Sequence, residues 1–129
     1  MNNKFYYKDG TISNKRLPST PISTTPLLHR LDGPAIKTST GEDWYVDGKR
    51  HRVDGPAADY TNGDKYWLMY GNLHRVDGPA IEYSNGSKEW WLDGDEYTKE
   101  EFDKLIKEAK ALPLALRLID PREWIRRMV

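Results

Sequence analysis

Short stretches in which apolar and polar residues alternate make up most of the chain up to residue 97. In one of them, Ile81 and Tyr83 fall on one side of an extended strand and Glu82 falls on the other. The next stretch follows Asn85-Gly86, a dipeptide that favours tight turns because Gly, and to a lesser extent Asn, adopts a positive φ. Two β-rich stretches joined in this way predict a β-hairpin.

The hairpin pattern recurs together with a seven-residue phrase, His-Arg-x-Asp-Gly-Pro-Ala. The phrase begins at His29, His51 and His74, in steps of 22 and 23 residues, and these histidines start what we call the first, second and third copies. Self-similarity at a nearly fixed step is typical of tandem structural repeats. We therefore predict one β-hairpin in each copy.

Each phrase predicts a corner of the chain. Pro has no backbone N–H and disfavours helix at the residue before it, so Asp-Gly-Pro marks the bend between hairpins. At this bend we expect Asp to accept backbone N–H bonds, and Arg to form ion pairs or cover aromatic rings. Equivalent Trp residues of stacked hairpins are expected to form an aromatic row. The residues with these structural roles are His29, Arg30, Asp32, Trp44, His51, Arg52, Asp54, Trp67, His74, Arg75, Asp77 and Trp90.

A long insertion interrupts the pattern. The aromatic half of a copy, Phe5 to Gly10, precedes the first phrase, but His29 does not follow at the usual distance. The surplus is the Pro/Ser/Thr-rich segment 13–28. A loop of this length inside a regular array is typically either disordered or functional. Its candidate partner-binding residues are Pro18, Pro21, Ile22, Pro26 and Leu27.

The period of the pattern becomes helical from Thr98. Thr98 and Glu101 form a capping-box pair, and Pro113 ends the helix that they begin. A second helix start follows at Asp120, with Pro in the first helical position and an apolar side after it. We therefore predict two short helices within residues 98–129.

The predicted helices follow the hairpin region, residues 1–97, and repeat arrays need capped ends. The first interpretation of residues 98–129 is therefore a helical cap on the last hairpin. The alternative is an apolar, Arg-bearing helix that enters the groove of a partner. The candidate partner-binding residues of this segment are Trp124, Ile125, Arg126 and Arg127.

Composition excludes several classes of protein. The 129 residues are enough for one domain with a core but not for two comfortable ones. Twenty basic residues balance twenty acidic ones, so no overall field attracts nucleic acid or an anionic membrane. Without Cys there is neither a disulfide nor a thiolate metal site. The sequence has no apolar run of the signal-peptide or membrane-span type, and we expect a soluble, cytoplasmic protein.

The recurrence of the polar residues also argues against chemistry. With two strands per copy, equivalent histidines lie roughly 10 Å apart, whereas Zn–N bonds are about 2 Å, so no shared zinc is expected. Catalysis needs one converging set of groups, not three separate copies of the same set. The sequence has no nucleophile elbow, phosphate-binding loop or dinucleotide fingerprint. We expect no enzymatic activity, no cofactor and no metal.

The His-Arg-x-Asp-Gly-Pro-Ala phrase, followed by a Tyr-x-Asn-Gly-x-Lys-x-Trp type of hairpin, resembles the tandem hairpin repeats of bacterial and bacteriophage proteins, which are distantly similar to MORN-type repeats. The resemblance covers Phe5 to Glu96 apart from the insertion. It implies a repeat scaffold that is generally non-enzymatic and often serves association with proteins or membranes. It assigns no catalytic or ligand-binding residue.

These observations predict a mainly β protein, in which tandem β-hairpin repeats form a MORN-like single-layer or solenoid-like sheet with a C-terminal helical cap. The expected function is that of a non-enzymatic protein-binding module, and the resemblance to bacteriophage proteins points to binding and inhibition of a host defence factor. Two alternatives stay open. One is capture of a nucleotide or nucleic acid by a Trp/Arg-lined face or dimer cleft. The other is a structural scaffold or self-assembling protein, including a homo-oligomer.

Overall fold

The structure of the protein is a computed structural model that describes residues 3–18 and 26–111. Within these ranges the chain is mainly β, with antiparallel strands in a large sheet and one helix near its C-terminal end. The predicted mainly β fold with a C-terminal helix is thereby confirmed at this level. The second predicted helix, from Asp120, lies outside the described residues.

The elements, in chain order, are β1 (Lys4–Tyr6), β2 (Ile12–Ser13), β3 (Ile36–Thr38), β4 (Gly41–Asp43), β5 (Tyr45–Val46), β6 (Lys49–Arg50), β7 (Ala58–Tyr60), β8 (Lys65–Tyr66), β9 (Leu68–Met69), β10 (Asn72–Leu73), β11 (Ile81–Glu82), β12 (Lys88–Leu92), β13 (Asp95–Tyr97) and α1 (Lys99–Lys110). Nine strands form one sheet in the spatial order β13-β12-β11-β8-β7-β4-β3-β1-β2. Two further pairs, β5 with β6 and β9 with β10, are antiparallel ribbons beside it. The copies meet where β4 pairs with β7 and β8 pairs with β11.

Two-residue turns with both central residues at positive φ connect β5 to β6, β9 to β10 and β12 to β13. The φ values are 49° and 76° at Asp47 and Gly48, 48° and 83° at Tyr70 and Gly71, and 49° and 85° at Asp93 and Gly94. Turns of this kind match the right-handed twist of the strands that they join. They are therefore the tight ends of the two ribbons and of the β12–β13 hairpin, and we call all three of them ribbon turns.

The Asn-Gly turns are of a different type. Only the Gly has a positive φ, of 105° at Gly63 and 90° at Gly86. The Asn62 side chain accepts the backbone N–H of Asp64 at 2.9 Å, and Asn85 bonds the residue two positions on at the same distance. The sequence predicts the tight turn at these positions, but within the described residues the pairs of adjacent residues with positive φ lie in the ribbon turns.

The two faces of the sheet differ in chemistry. One register row crosses the strands with Ile36, Asp43, Ala58, Tyr66, Ile81 and Glu89. The neighbouring row, on the other face, carries Lys37, Glu42, Asp59, Lys65, Glu82 and Lys88. Opposite charges face each other at every step of this second row except between Glu42 and Asp59, and Lys65 Nζ lies 2.8 Å from Asp59 Oδ1. Cross-strand ion pairs of this kind add a modest stabilisation to a sheet.

Helix α1 closes the sheet next to the third copy. Its N-cap is Thr98, whose hydroxyl accepts the Glu101 backbone N–H at 3.1 Å while the Glu101 carboxylate accepts the Thr98 N–H at 2.9 Å. Phe102 and Ile106 on one side of the helix are buried against Leu92. Among the described residues, no helix is long and apolar enough to cross a membrane.

Candidate protein-binding groove

The Arg of each phrase holds the corner of its copy. Its Nε donates to the Asp two residues on at 3.1, 3.0 and 2.9 Å, and its Nη1 donates to the Pro carbonyl at 3.2, 3.2 and 3.1 Å in the first, second and third copies. The carboxylate thus accepts from a guanidinium, whereas the sequence predicts a backbone donor. The three sets are Arg30 with Asp32 and Pro34, Arg52 with Asp54 and Pro56, and Arg75 with Asp77 and Pro79.

The same guanidinium covers an aromatic ring that precedes its phrase. Measured from Cζ to the ring centroid, the pairs are Arg30 on Tyr6 at 4.0 Å, Arg52 on Trp44 at 3.9 Å and Arg75 on Trp67 at 3.9 Å. These distances are typical of cation–π contacts. Trp90, which no further phrase follows, packs against α1 instead. Each Arg therefore attaches its copy to the one before it.

The His of each phrase binds a ribbon turn at the far end of the same copy. Its Nδ1 accepts the backbone N–H of the first turn residue at 3.0, 3.0 and 2.9 Å in the pairs His29 with Asp47, His51 with Tyr70 and His74 with Asp93. Because Nδ1 accepts, the neutral ring carries its proton on Nε2. The three histidines thus serve three separate turns. Among residues 3–18 and 26–111, no three His, Asp or Glu side chains gather as candidate metal ligands.

Arg52→Lys is expected to lower the free energy of unfolding by about 1–2 kcal/mol. An ammonium group cannot bond Asp54 and the Pro56 carbonyl together while lying flat on Trp44. Urea unfolding followed by Trp fluorescence measures the change. Arg16→Lys, at an exposed position, is the control and should change stability by less than about 0.5 kcal/mol. Equal effects of the two substitutions would contradict the role of the corner Arg.

A shallow groove of about 610 Å³ lies between the corners of the first and second copies. It is lined by the hydrophobic side chains of Leu31, Trp44, Val46, Val53 and Tyr70 and by the polar ones of Arg30, Asp32, His51, Arg52 and Asp54. We call this surface the corner groove. Leu31, Val53 and Tyr70 are 76%, 81% and 48% exposed, although all three are large hydrophobic residues. Clustered exposure of this kind marks binding surfaces, whereas single exposed apolar residues are ordinary.

Local structure explains why these side chains reach solvent. Leu31 and Val53 occupy the variable position of the phrase, between an Arg and an Asp that bond each other. Tyr70 is the first residue of a ribbon turn, at φ 48°. Its ring centroid lies 4.1 Å from that of His51, which also accepts its backbone N–H. The same contacts that form the corner and the turn therefore hold the exposed groups in place.

In the third copy, α1 covers the equivalent surface. Val76 occupies the position of Val53 in an identical phrase, but it is half-buried against the cluster that contains Phe102 and Ile106. Trp90 packs in the same cluster. The difference in exposure between Val53 and Val76 therefore comes from the helix and not from the phrase.

The charges of the corner groove compensate one another. Arg30 and Asp32 form one ion pair, and Arg52 and Asp54 form another. The two carboxylates are more exposed than the guanidiniums that they bind. A phosphate entering the groove would approach exposed carboxylates and two Arg side chains that already have partners. This arrangement favours an uncharged or basic surface as the occupant.

The side chains of a polar cluster between the first and second copies form hydrogen bonds with one another. The Tyr60 hydroxyl and Arg50 Nε both donate to Asp43 Oδ1 at 3.1 Å. Burial, together with the negative charge of Asp43, raises the pKa of the Tyr60 phenol. The phenol therefore stays protonated at neutral pH and keeps its bond to the carboxylate. We regard this cluster as structural.

The predicted partner-binding residues lie in different settings. Of those in the insertion, Pro18 and Leu27 are exposed and Pro26 is half-buried. Outside the described residues lie the predicted sites Pro21, Ile22, Trp124, Ile125, Arg126 and Arg127.

Hydrogen bonding and packing hold the end of the insertion next to the corner groove. The Leu27 carbonyl accepts the Lys8 backbone N–H at 2.9 Å, and the Leu27 side chain lies over Gly48. Lys8 Nζ also lies 2.7 Å from Asp47 Oδ1, and this hydrogen bond holds the pKa of Asp47 below its ordinary value. Asp47 follows Val46, which lines the groove. The structure thus brings Leu27 close to one end of the corner groove.

Sequence reasoning did not select Leu31, Val53 or Tyr70 as site residues. A signal was present, because the variable position of the phrase, between a charged Arg and a charged Asp, is apolar in all three copies. We infer function from the contacts, exposures and charges of this chain, since comparisons with protein-family models, curated proteins and solved structures found no match.

Proposed function

We propose that the protein is a non-enzymatic protein-binding module and that the corner groove is its binding surface. The observation that carries this proposal is the gathering of exposed Leu31, Val53 and Tyr70 in one groove. Fully burying a Leu or Val side chain contributes about 1.5–3 kcal/mol, so a partner that covers these residues gains a substantial part of its affinity from them. Trp and Tyr beside them are residue types enriched at interfaces.

We also propose that the fold is a MORN-like array of hairpin repeats capped by α1. It is supported by the recurrence of the Arg and His contacts in each copy. It is also supported by the packing of α1 on Trp90, the position that an Arg covers in the earlier copies. In such arrays an end without a further repeat needs a cap.

The same recurrence supports a function without catalysis. The His, Arg and Asp residues that resemble acid–base groups are bonded to turns, carbonyls and rings in each copy. A catalytic site needs such groups to converge on one reacting position. These side chains have structural partners in three separate places instead.

Two other functions are weaker proposals. Trp44 and Arg52 line the groove, which favours capture of a nucleotide or nucleic acid, but Asp54 already binds that guanidinium. An absorbance ratio of the purified protein that shows bound nucleotide would favour capture. A scaffold that self-assembles through the groove would show a mass that rises with concentration in sedimentation.

The partner that we propose is a host protein in the cytoplasm, and we propose that binding inhibits it. This part of the proposal rests on the resemblance of the phrase to those of bacteriophage repeat proteins. The insertion, with Leu27 fastened near the groove, would add contacts that select the partner. Residues Trp124 to Arg127 are the second candidate source of such contacts.

The test is affinity purification from the natural host with the double variant Leu31→Glu and Val53→Glu. We expect at least about a tenfold loss of the captured partner, because two carboxylates would have to be buried in the interface. Ile12→Glu, a third exposed apolar position away from the groove, is the matched control and should capture normally. Both proteins should unfold within about 0.5 kcal/mol of the unmodified chain, since all three positions are exposed. Undiminished capture by the double variant would reject the groove as the site.

A further inference from the structure

The third copy shows what kind of element fits the surface of a corner. Phe102 and Ile106, four residues apart on α1, pack against Val76 and Trp90. Lys99, Asp103, Lys107 and Lys110 of the helix line the space next to the corner that holds Asp77, and Lys99 pairs with Asp103, so the charge of this rim is positive on balance. An amphipathic helix with an aromatic and an aliphatic anchor and a basic rim therefore already occupies one corner of this protein.

Part of the covered surface recurs in the corner groove, where Arg52 lies on the Trp44 ring and the third copy instead has α1 packed on Trp90. Leu31, Asp32 and Trp44 of the first copy occupy the positions that Val76, Asp77 and Trp90 have in the third copy. Successive corners are separated by two strands, or roughly 10 Å, and a helix with its side chains is about 10–12 Å across. The groove thus continues the α1 interface along the sheet, with an apolar floor and no described helix on it.

We propose that the corner groove binds an amphipathic helix of a partner protein, in which an aromatic and an aliphatic residue stand four positions apart and Lys or Arg residues flank them. This inference rests on the proposed function and names the element that the partner contributes. When a groove binds the apolar face of a helix, the side chains that enter the groove are typically three or four positions apart. The exposed carboxylates of Asp32 and Asp54 favour a basic rim over an acidic one.

The probe is a peptide with the sequence of residues 98–111, added to the full-length, isotope-labelled protein. We expect saturable changes in the NMR methyl signals of Leu31 and Val53, with a dissociation constant of about 10–100 µM for so small an interface. A peptide with Ala in place of Phe102 and Ile106 should bind at least about tenfold more weakly. Val53→Glu in the protein should abolish the changes at Leu31, and Ile12→Glu should leave them intact.

Four results would overturn the inference. Absence of binding would do so, and so would changes confined to the Val76 region, because the peptide would then have replaced α1. Changes at Leu31 and Val53 caused by Trp124→Ala in the full chain, without peptide, would assign the groove to the C-terminal segment of the protein itself. A concentration-dependent dimer that Val53→Glu abolishes would assign it to a second copy.

The peptide experiment and the capture experiment can fail separately. If capture from the host needs Leu31 and Val53 but the helical peptide does not bind, the protein-binding function stands and the helical nature of the partner is rejected. If the peptide binds but capture does not depend on these residues, the groove accepts a helix and the proposed function at this surface is rejected.

Discussion

Phe102→Ala is expected to lower the free energy of unfolding by about 3–5 kcal/mol, the range for removing a buried Phe ring. Phe102 is 4% exposed and packs in one cluster with Leu92 and Ile106. A helix of 12 residues is marginal in water by itself, so α1 depends on this packing. Loss of the ring should also expose Trp90 and Val76, which the helix covers.

Urea unfolding measures the total loss, and amide hydrogen exchange shows where it falls. We expect faster exchange in α1 and β13 and little change in the first copy. Leu105→Ala, at a half-buried position on the same helix, is the matched control and should cost roughly 1 kcal/mol. Equal losses from the two substitutions would show that α1 is not anchored by Phe102.

Gly41→Ala is expected to cost about 2–5 kcal/mol, from backbone strain and overpacking together. Gly41 has φ 151°, and a Cβ at this position would lie 2.5 Å from the Asp59 carbonyl oxygen and 2.9 Å from Tyr60 Cα. Both of these atoms belong to the β7 backbone, which cannot move aside without opening the β4–β7 pairing. This pairing joins the first copy to the second, so the effect should reach both.

Gly86→Ala separates the two causes. Gly86 is the third-copy counterpart of Gly41 in the sequence, and its φ is 90°, but no atom lies within 4 Å of an added Cβ. It should show only the cost of a positive φ, about 1–2 kcal/mol. Thermal unfolding of both variants provides the comparison. A Gly41→Ala loss no larger than that of Gly86→Ala would contradict the close approach of β4 and β7.

The recurring phrase predicts much of the local structure, but not which turn takes which form. The sequence points to Asn-Gly as the tight turn, whereas the structure has the paired positive φ values at Asp47, Tyr70, Asp93 and the Gly that follows each. Tyr is an unusual residue at such a position. His51 accepts the Tyr70 N–H and stacks on its ring, and these contacts come from a residue 19 positions away. A local propensity argument cannot include them.

The candidate site was hidden from the sequence for a related reason. Val53 and Val76 stand in identical phrases, yet one is exposed and the other is half-buried. The difference arises because α1 folds back over the third copy only. Whether an apolar residue is exposed depends on the elements that pack over it, and the sequence around Val53 does not indicate where α1 packs. The role of Leu27, which the sequence does point to, stays a prediction, although Lys8 links its carbonyl to Asp47 beside the groove.

The phrase makes contacts both within its own copy and with the preceding one, and this affects how the chain can change in length. Its His accepts a hydrogen bond from the turn at the end of the same copy, and its Arg lies on the aromatic ring of the preceding copy. A duplicated stretch of 22 or 23 residues would therefore contain both the Arg and the aromatic ring that such a contact needs, and no existing side chain would need to change. Each added stretch would also create one more exposed apolar position between corners. Growth by duplication would thus lengthen the sheet and the proposed binding surface in the same step.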